Sequence, residues 1–271
     1  MTGCGGGDRK SDRPTVSAVI LAHDEVDMIR ACVASVAWAD ELMVIDDGTT
    51  DLIGRLAEAA GARVIRRPWE GFPQQRNAGL RFATCDWLLF VDADERVPPA
   101  LAREVREKIG APGATVGYWV PRRNIIAGEW VRHAGWWPDH QLRLLRRGHA
   151  AYDEGRVVHE LAILDGPEGT LSEPLLHLNY ETLNEFRAKQ RRYAALEAHA
   201  LWESGIRPKP HSLALQPIRE FRRRMLSLGG IRQGPLGVRL GLEMALASFR
   251  TYRELRAMMA QGGPPDAASR T

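Results

Sequence analysis

The stretch Leu88-Leu89-Phe90-Val91-Asp92-Ala93-Asp94-Glu95 decides the fold. An apolar run of strand character ends abruptly in carboxylates two positions apart. On an extended backbone, residues i and i+2 point to the same face, so Asp92 and Asp94 are expected to project together from the C-terminal end of a buried strand. That end is where open α/β sheets bind ligands. Two hard oxygen ligands that leave room for water and phosphate suit Mg²⁺ or Mn²⁺. The competing reading is structural: Asp94 or Glu95 would cap a helix opening at Pro98-Pro99.

Outward from this stretch, residues 16–110 alternate strand and helix patterns. Strands are expected at Val16–Ala22, Glu41–Ile45, Arg63–Arg66 and Trp87–Val91. Helices are expected at Val26–Ala37, Asp51–Ala60, Gln74–Ala83 and Pro99–Ile109. This order predicts an α/β fold, a mostly parallel sheet with helices on both faces. From Tyr118 the pattern breaks into short extended pieces (Tyr118–Pro121, Leu142–Arg146, Val157–His159) mixed with Trp, Gly and His, read as an irregular active-site wall. Thr182–Ser204 reads as a long amphipathic helix. Residues 211–260 read as two more helical stretches, interrupted at Gly229-Gly230 and Gly234–Gly237.

With 44% hydrophobic and 26% charged residues over 271 positions, the chain can bury a substantial core. The net charge of +3 comes from arginines interleaved with acids, which argues against a nucleic-acid partner. Cys4, Cys32 and Cys85 form no spaced pair, so neither a zinc site nor a disulfide framework is indicated and a reducing cytoplasm is expected. The opening residues 1–14 lack an apolar core of signal-peptide type and read as a flexible leader. No stretch approaches the ~18 uninterrupted apolar residues of a spanning helix, so any membrane contact is expected to be peripheral.

Polar clusters close the strand ends of the first half: His23-Asp24-Glu25, Asp46-Asp47-Gly48, the Gln75-Arg76-Asn77 helix, and Asp92–Glu95. In a parallel sheet these ends share one rim. Asp46 would accept from a nucleobase imide N–H or from ribose hydroxyls, or else form a turn before a Thr/Asp helix cap. Arg76 would meet a diphosphate, or else lie on a solvated helix face. A diphosphate beside several carboxylates requires a cation, because like charges about 4 Å apart repel by several kcal/mol at intermediate dielectric. A divalent metal on Asp94 supplies one.

The segments VSAVILAHDE, ELMVIDDGTTD, GFPQQRNAGLRFATCDWLLFVDADE, HAGWWPDHQLRLLRRG and VVHE together resemble the family-2 glycosyltransferases of GT-A fold, and among them the bacterial lipopolysaccharide-core β-glucosyltransferases. The resemblance runs from about Val16 to the helix near Met259. It implies an inverting transfer of a sugar from a nucleotide donor, usually a UDP-sugar, with Mg²⁺ or Mn²⁺. By motif, Ala22, Asp24 and Glu25 fall where the family lines the uracil pocket. Asp46 falls on the base and ribose contact, Arg76 on the donor contact, and Asp92 and Asp94 on the metal motif. Two positions depart from the pattern: His23-Asp24-Glu25 replaces the common Asn-Glu, and Ile53 stands where Thr is frequent.

The resemblance also implies a general base on the acceptor side, an acid some ten to twenty positions after the arginine-rich strand. Glu160 fits that order after Leu144-Leu145-Arg146-Arg147, with Asp139 as the alternative. His177 stands where some GT-A enzymes complete the metal shell; otherwise it is a core histidine. Trp130, Trp136 and Trp137 flank the acidic candidates and suit stacking on an acceptor sugar, or ordinary packing. The expected organisation is a GT-A catalytic domain over 15–180 (nucleotide-sugar half 15–110, acceptor half 111–180), a helical extension over 181–261, and a disordered tail over 262–271. The arginine-rich C-terminal helices could pack on the catalytic domain or lie on an anionic membrane. The latter suits a saccharide or glycolipid acceptor, such as lipopolysaccharide core, at the cytoplasmic face of the inner membrane.

Three other classes compete. A nucleotidyltransferase would carry a Gly-rich basic loop after the first strand, where this chain has Ala22-His23-Asp24-Glu25. A dinucleotide-binding oxidoreductase would carry a G-x-G-x-x-G after a strand, and none stands there. A non-catalytic nucleotide-sugar-binding protein of the same fold would have no need of intact Asp46, Asp92 and Asp94.

Overall fold

The computed structural model describes residues 13–23, 26–48, 51–155 and 161–263. The first half runs β1 (Val16–Ala22), α1 (Val26–Ser35), β2 (Glu41–Asp46), α2 (Asp51–Ala59), β3 (Arg63–Arg66), α3 (Phe72–Phe82) and β4 (Trp87–Asp92). It continues through β5 (Glu95–Arg96), α4 (Pro99–Gly110), β6 (Gly117–Ile126), β7 (Glu129–Trp130), β8 (Asp139–Arg146), β9 (Ala150–Tyr152), β10 (Ala162–Leu164), β11 (Glu168–Thr170) and β12 (Leu175–Tyr180). The helices α5 (Leu183–Glu203), α6 (Ser212–Arg222) and α7 (Gly234–Gln261) follow, with a π turn at Arg223–Ser227 and a 3₁₀ turn at Gly230–Gln233 before α7.

Among the described residues the main sheet has the order β3-β2-β1-β4-β8-β6-β12-β5. The first four strands are parallel; β8 then pairs antiparallel with both β4 and β6. Alternation along the strands sorts the core into two faces. Val16, Ala18 and Ile20 pack with α1, α2 and α4, including Ile29, Ile53 and Leu101. Val19 and Leu21 pack on the other face with Leu88, Phe90 and Leu145. The same face receives α3 at close range: a Cβ on Gly79 would lie 2.8 Å from Phe90 Cε1 and 2.9 Å from Val19 Cγ1. Helices therefore cover both faces, and the α/β expectation holds.

The chain forms two compact units, Met1–Arg123 with Asp139–Leu178, and Asn124–Pro138 with Asn179–Thr271. The first holds the two core faces above. The second has its own core, in which Ile126, Val131, Tyr180 and Phe186 pack with Leu236 and Leu240. Its helix α5 opens at Thr182, whose hydroxyl accepts from the Glu185 N–H, while the Glu185 carboxylate reaches back to accept the Glu181 N–H at 3.0 Å, a variant of the capping box.

Three expectations change. The segments from Tyr118 onward are no irregular wall, because β6 and β8 are long strands inside the main sheet. Their alternation was obscured by buried polar side chains, Asn124 and Arg143. Gly234–Gly237 does not interrupt a helix but opens α7; a Cβ on Gly237 would lie 2.1 Å from the Gly230 carbonyl oxygen, so glycine there permits close approach. Helix α3 begins at Phe72, two residues before the expected start, with Pro73 in its first turn. Val157–His159 lie outside the described residues.

Candidate active site

Strand register builds the rim. Ala22 lies opposite Asp46, and Leu21 opposite Asp92, so the ends of β2, β1 and β4 stand in consecutive positions. Successive elements leave β1 on opposite sides, which makes this rim the switch point where open α/β sheets bind ligands.

Asp92 closes β4, and the chain then turns at Ala93-Asp94 instead of continuing extended. The two acids accordingly take different partners. Both Asp92 oxygens accept from Arg143, one of them at 3.0 Å, and Arg76 Nη2 lies 3.4 Å from Oδ1. Burial works to raise the Asp92 pKa, but the Arg143 and Arg76 guanidiniums outweigh it and hold the carboxyl well below the usual carboxylate range. For Arg143, burial opposes the charge and Asp92 and Glu95 restore it. Arg76 also lies over the rings of Phe90 and Tyr152, at 5.5 and 5.8 Å.

Glu95 is fully buried and caps no helix. The α4 cap is Pro98, without a side-chain bond, which removes the structural reading of Asp94 and Glu95. Instead Glu95 accepts the Asp92 N–H at 2.9 Å, Arg143 at 2.9 Å and Arg122 at 3.4 Å. Arg122 reaches on to Asp139 Oδ2, with Nη2 at 2.6 Å, while Gln141 donates to Asp139 Oδ1 at 2.9 Å. An alternating chain of charges thus runs from Asp92 through Arg143, Glu95 and Arg122 to Asp139. Beneath it, the buried Cys32 thiol donates to the Asp92 carbonyl.

Asp94 faces the other way. Its Oδ2 lies 3.2 Å from His177 Nε2, and its carbonyl accepts the Leu178 N–H at 2.9 Å. The two side chains lie within hydrogen-bonding distance of each other, and a carboxylate with an imidazole is a donor set that Mg²⁺ or Mn²⁺ accepts. Among the described residues no group of three or more His, Cys, Asp or Glu could hold a metal.

Asp46 is fully buried. Its Oδ1 accepts the Gly48 N–H at 3.0 Å, the turn geometry expected, with Gly48 at φ 77°. Its Oδ2 is buried with no hydrogen-bond partner, a costly state that a donor group would relieve. Ala22 is buried beside it. Asp24, Glu25 and Glu160 lie outside the described residues. Trp137 belongs to the second unit, where it meets Trp130 edge-to-face at 5.4 Å.

Sequence reasoning missed Arg122 and Arg143, and for Glu95 it offered a helix cap as the competing reading. The signal for Arg143 was present: a charge inside the apolar run Leu142–Leu145 needs a buried counter-ion.

The family model described as Glycosyl transferase family 2 matches residues 17–159. Over 268 residues the chain is 30% identical to the lipopolysaccharide core biosynthesis glycosyltransferase LpsC of Rhizobium meliloti (strain 1021), covering 94% of this chain and 97% of that protein. An uncharacterized glycosyltransferase of Rickettsia bellii (strain RML369-C) is 35% identical over 91 residues, 33% of this chain and 31% of its own length. Among solved structures, the mannosyltransferase PcManGT from Pyrobaculum calidifontis, in complex with GDP-Man and Mn²⁺, is similar with a TM-score of 0.49 and 14% identity, over 95% of this chain and 78% of that one. The family match spans the rim from Ala22 to the Asp92–Arg143 clamp, the likeness to LpsC extends along nearly the whole chain, and this protein therefore belongs to glycosyl transferase family 2 and is a glycosyltransferase.

Proposed function

We propose that the enzyme transfers a hexose, with inversion, from a UDP-sugar to a hydroxyl of a saccharide or glycolipid acceptor of the lipopolysaccharide-core type. The observation that carries this reading is the division of labour at the end of β4: Asp94 paired with His177, and Asp92 clamped by Arg143 and Arg76. A diphosphate can sit beside such acids only if cations offset them, and in this reading the arginines and an ion on Asp94 and His177 supply them.

Asp94 and His177 would hold the divalent ion, which supplies charge neutralisation for the departing nucleoside diphosphate. Arg76 would meet the diphosphate directly. The Asp46 carboxylate would accept from the base or ribose, with Ala22, Asp24 and Glu25 lining the same pocket. In the transfer, the acceptor oxygen bonds to the anomeric carbon as the bond to the diphosphate oxygen breaks, and a carboxylate takes the hydroxyl proton. Asp139 is a poor base, since Arg122 and Gln141 occupy its oxygens. Glu160 is the preferred base.

LpsC is by name a lipopolysaccharide core enzyme, and that acceptor class suits contact with the cytoplasmic face of the inner membrane. No described helix is long and apolar enough to cross a membrane. On α7, however, Val238, Leu242, Leu246 and Phe249 are exposed at helical spacing, with exposed Arg239 and Arg253 beside them, a pattern suited to an anionic interface.

Calorimetric titration of UDP, with and without Mn²⁺, into the protein and its Asp94→Asn variant tests the reading. Binding that needs both metal and Asp94 supports it. Absence of binding by UDP, GDP and dTDP alike would sink it.

A further inference from the structure

Away from the rim, a polar groove of about 710 Å³ runs between α5, α6 and α7 within the second unit. One wall carries Arg219, Arg222, Arg223 and Arg224. An α-helix turns consecutive residues about 100° apart, so three successive arginines would ordinarily diverge. Here the helix widens at Arg223–Ser227 into a π turn, closed by the Leu228 N–H donating to the Arg223 carbonyl at 2.9 Å. Single π turns inside helices recur at functional sites.

The four cations are not equally satisfied. Arg223 and Arg224 both pair with Glu220, at 3.0 and 2.6 Å, and Arg224 also donates to the Ala134 carbonyl at 2.7 Å. Arg219 and Arg222 have no ion pair among the described residues. The groove's other acid, Glu197, accepts from the Thr251 hydroxyl at 3.1 Å. Two guanidiniums are thus left open in a concave site, the donor geometry that matches phosphate oxygens in pairs. Around them, Tyr193 and Tyr252 offer ring faces, and Gln190 and Ser248 offer amide and hydroxyl groups suited to sugar hydroxyls.

Charge along the chain points the same way. Residues 124–138 and 179–271 carry seventeen Lys and Arg against nine Asp and Glu, whereas the rest of the chain carries twenty against twenty-five. The second unit is therefore the anion-attracting part of the molecule, although the first is the one expected to take the nucleotide.

We propose that this groove binds a phosphorylated saccharide, with Arg219 and Arg222 on the phosphate and the tyrosines on the sugar. Its identification as part of the acceptor rests on the transfer reading above; its binding does not. The probes are glucose 6-phosphate, glucose and inorganic phosphate, titrated calorimetrically into the full chain. Vesicles of phosphatidylcholine with and without phosphatidic acid form a second arm, and UDP with Mn²⁺ is titrated into the same samples.

Glucose 6-phosphate should bind where glucose does not. The double variant Arg219→Gln/Arg222→Gln, altering two exposed side chains, should weaken it by about tenfold or more. Tyr193→Ala should weaken glucose 6-phosphate but leave inorganic phosphate unchanged. Binding of the free ester assigns a soluble phosphosaccharide. Binding only to phosphatidate vesicles, lost in the double variant, assigns a lipid-borne phosphate. Binding that the double variant leaves unchanged, or no binding in either arm, overturns the proposal. Failure of UDP to bind the unaltered protein would count against the transfer reading and leave the groove result standing.

Discussion

Arg143 donates to both carboxylate oxygens of Asp92 and, through one of the same nitrogens, to Glu95 at 2.9 Å. The first acid of the Asp92-Ala93-Asp94 sequence is thereby committed to a guanidinium, and the second is left to His177. Removing Arg143 would strand the buried Glu95 and the partly buried Asp92. Arg143→Met is expected to cost about 3–5 kcal/mol, the range for breaking a buried pair on one side, measured by urea denaturation.

The lowered Asp92 pKa has a definite sign in pH dependence. A carboxyl whose native value lies below its unfolded value of about 3.9 contributes its full stabilisation above that pH and loses it as pH falls through the native value. Acid unfolding of the protein should therefore include a contribution from Asp92 below about pH 4. Asp92→Asn should be less stable at neutral pH and show a flatter loss of stability on acidification, read from denaturation curves collected between neutrality and acid.

His177 is expected to act through the metal and not through the core. His177→Ala should leave the folded protein intact by circular dichroism and weaken Mn²⁺-dependent UDP binding by about 10- to 100-fold, the range for lost metal-site partners. UDP affinity measured without metal should not change. Equal weakening in both conditions would remove His177 from the metal site.

The base assignment separates two acids. Glu160→Gln should keep UDP affinity and lose turnover by about 10²- to 10⁴-fold. Asp139→Asn should instead disturb Arg122, which meets Asp139 Oδ2 through both Nε and Nη2, and show up mainly in stability. If Asp139→Asn alone gives the turnover-only pattern, Asp139 is the base.

Gly79 tests the packing that brings α3, and with it Arg76, against the sheet. Gly79→Ala places a methyl against Phe90 and Val19 and should destabilise by about 1–3 kcal/mol, the cost of overpacking. Thermal unfolding reads this directly.

The parallel half was legible because its strands are buried on both sides, so Val16–Ala22, apolar but for Ser17, and the apolar Trp87–Val91 stand out. Asp46 and Arg76 could be placed on the rim from that pattern alone. The antiparallel half hid behind charges that are buried because they are paired. Arg143 and Arg122 look like solvated residues until Asp92, Glu95 and Asp139 are known to meet them. Glu95 looked like a cap because capping is a local pattern, whereas its partners lie 27 and 48 residues away. The same local bias read Gly234–Gly237 as a break, when the close approach it serves is to Gly230.

The partner that neutralises Asp92 is supplied 51 residues later in the chain. During synthesis, β1 to β4 can emerge and pair before Arg143 has been translated, leaving an acidic rim without its clamp. The charge balance at the end of β4 is thus complete only when β8 pairs beside β4. A nascent chain stalled before that strand would hold the parallel strands without the guanidinium that offsets Asp92.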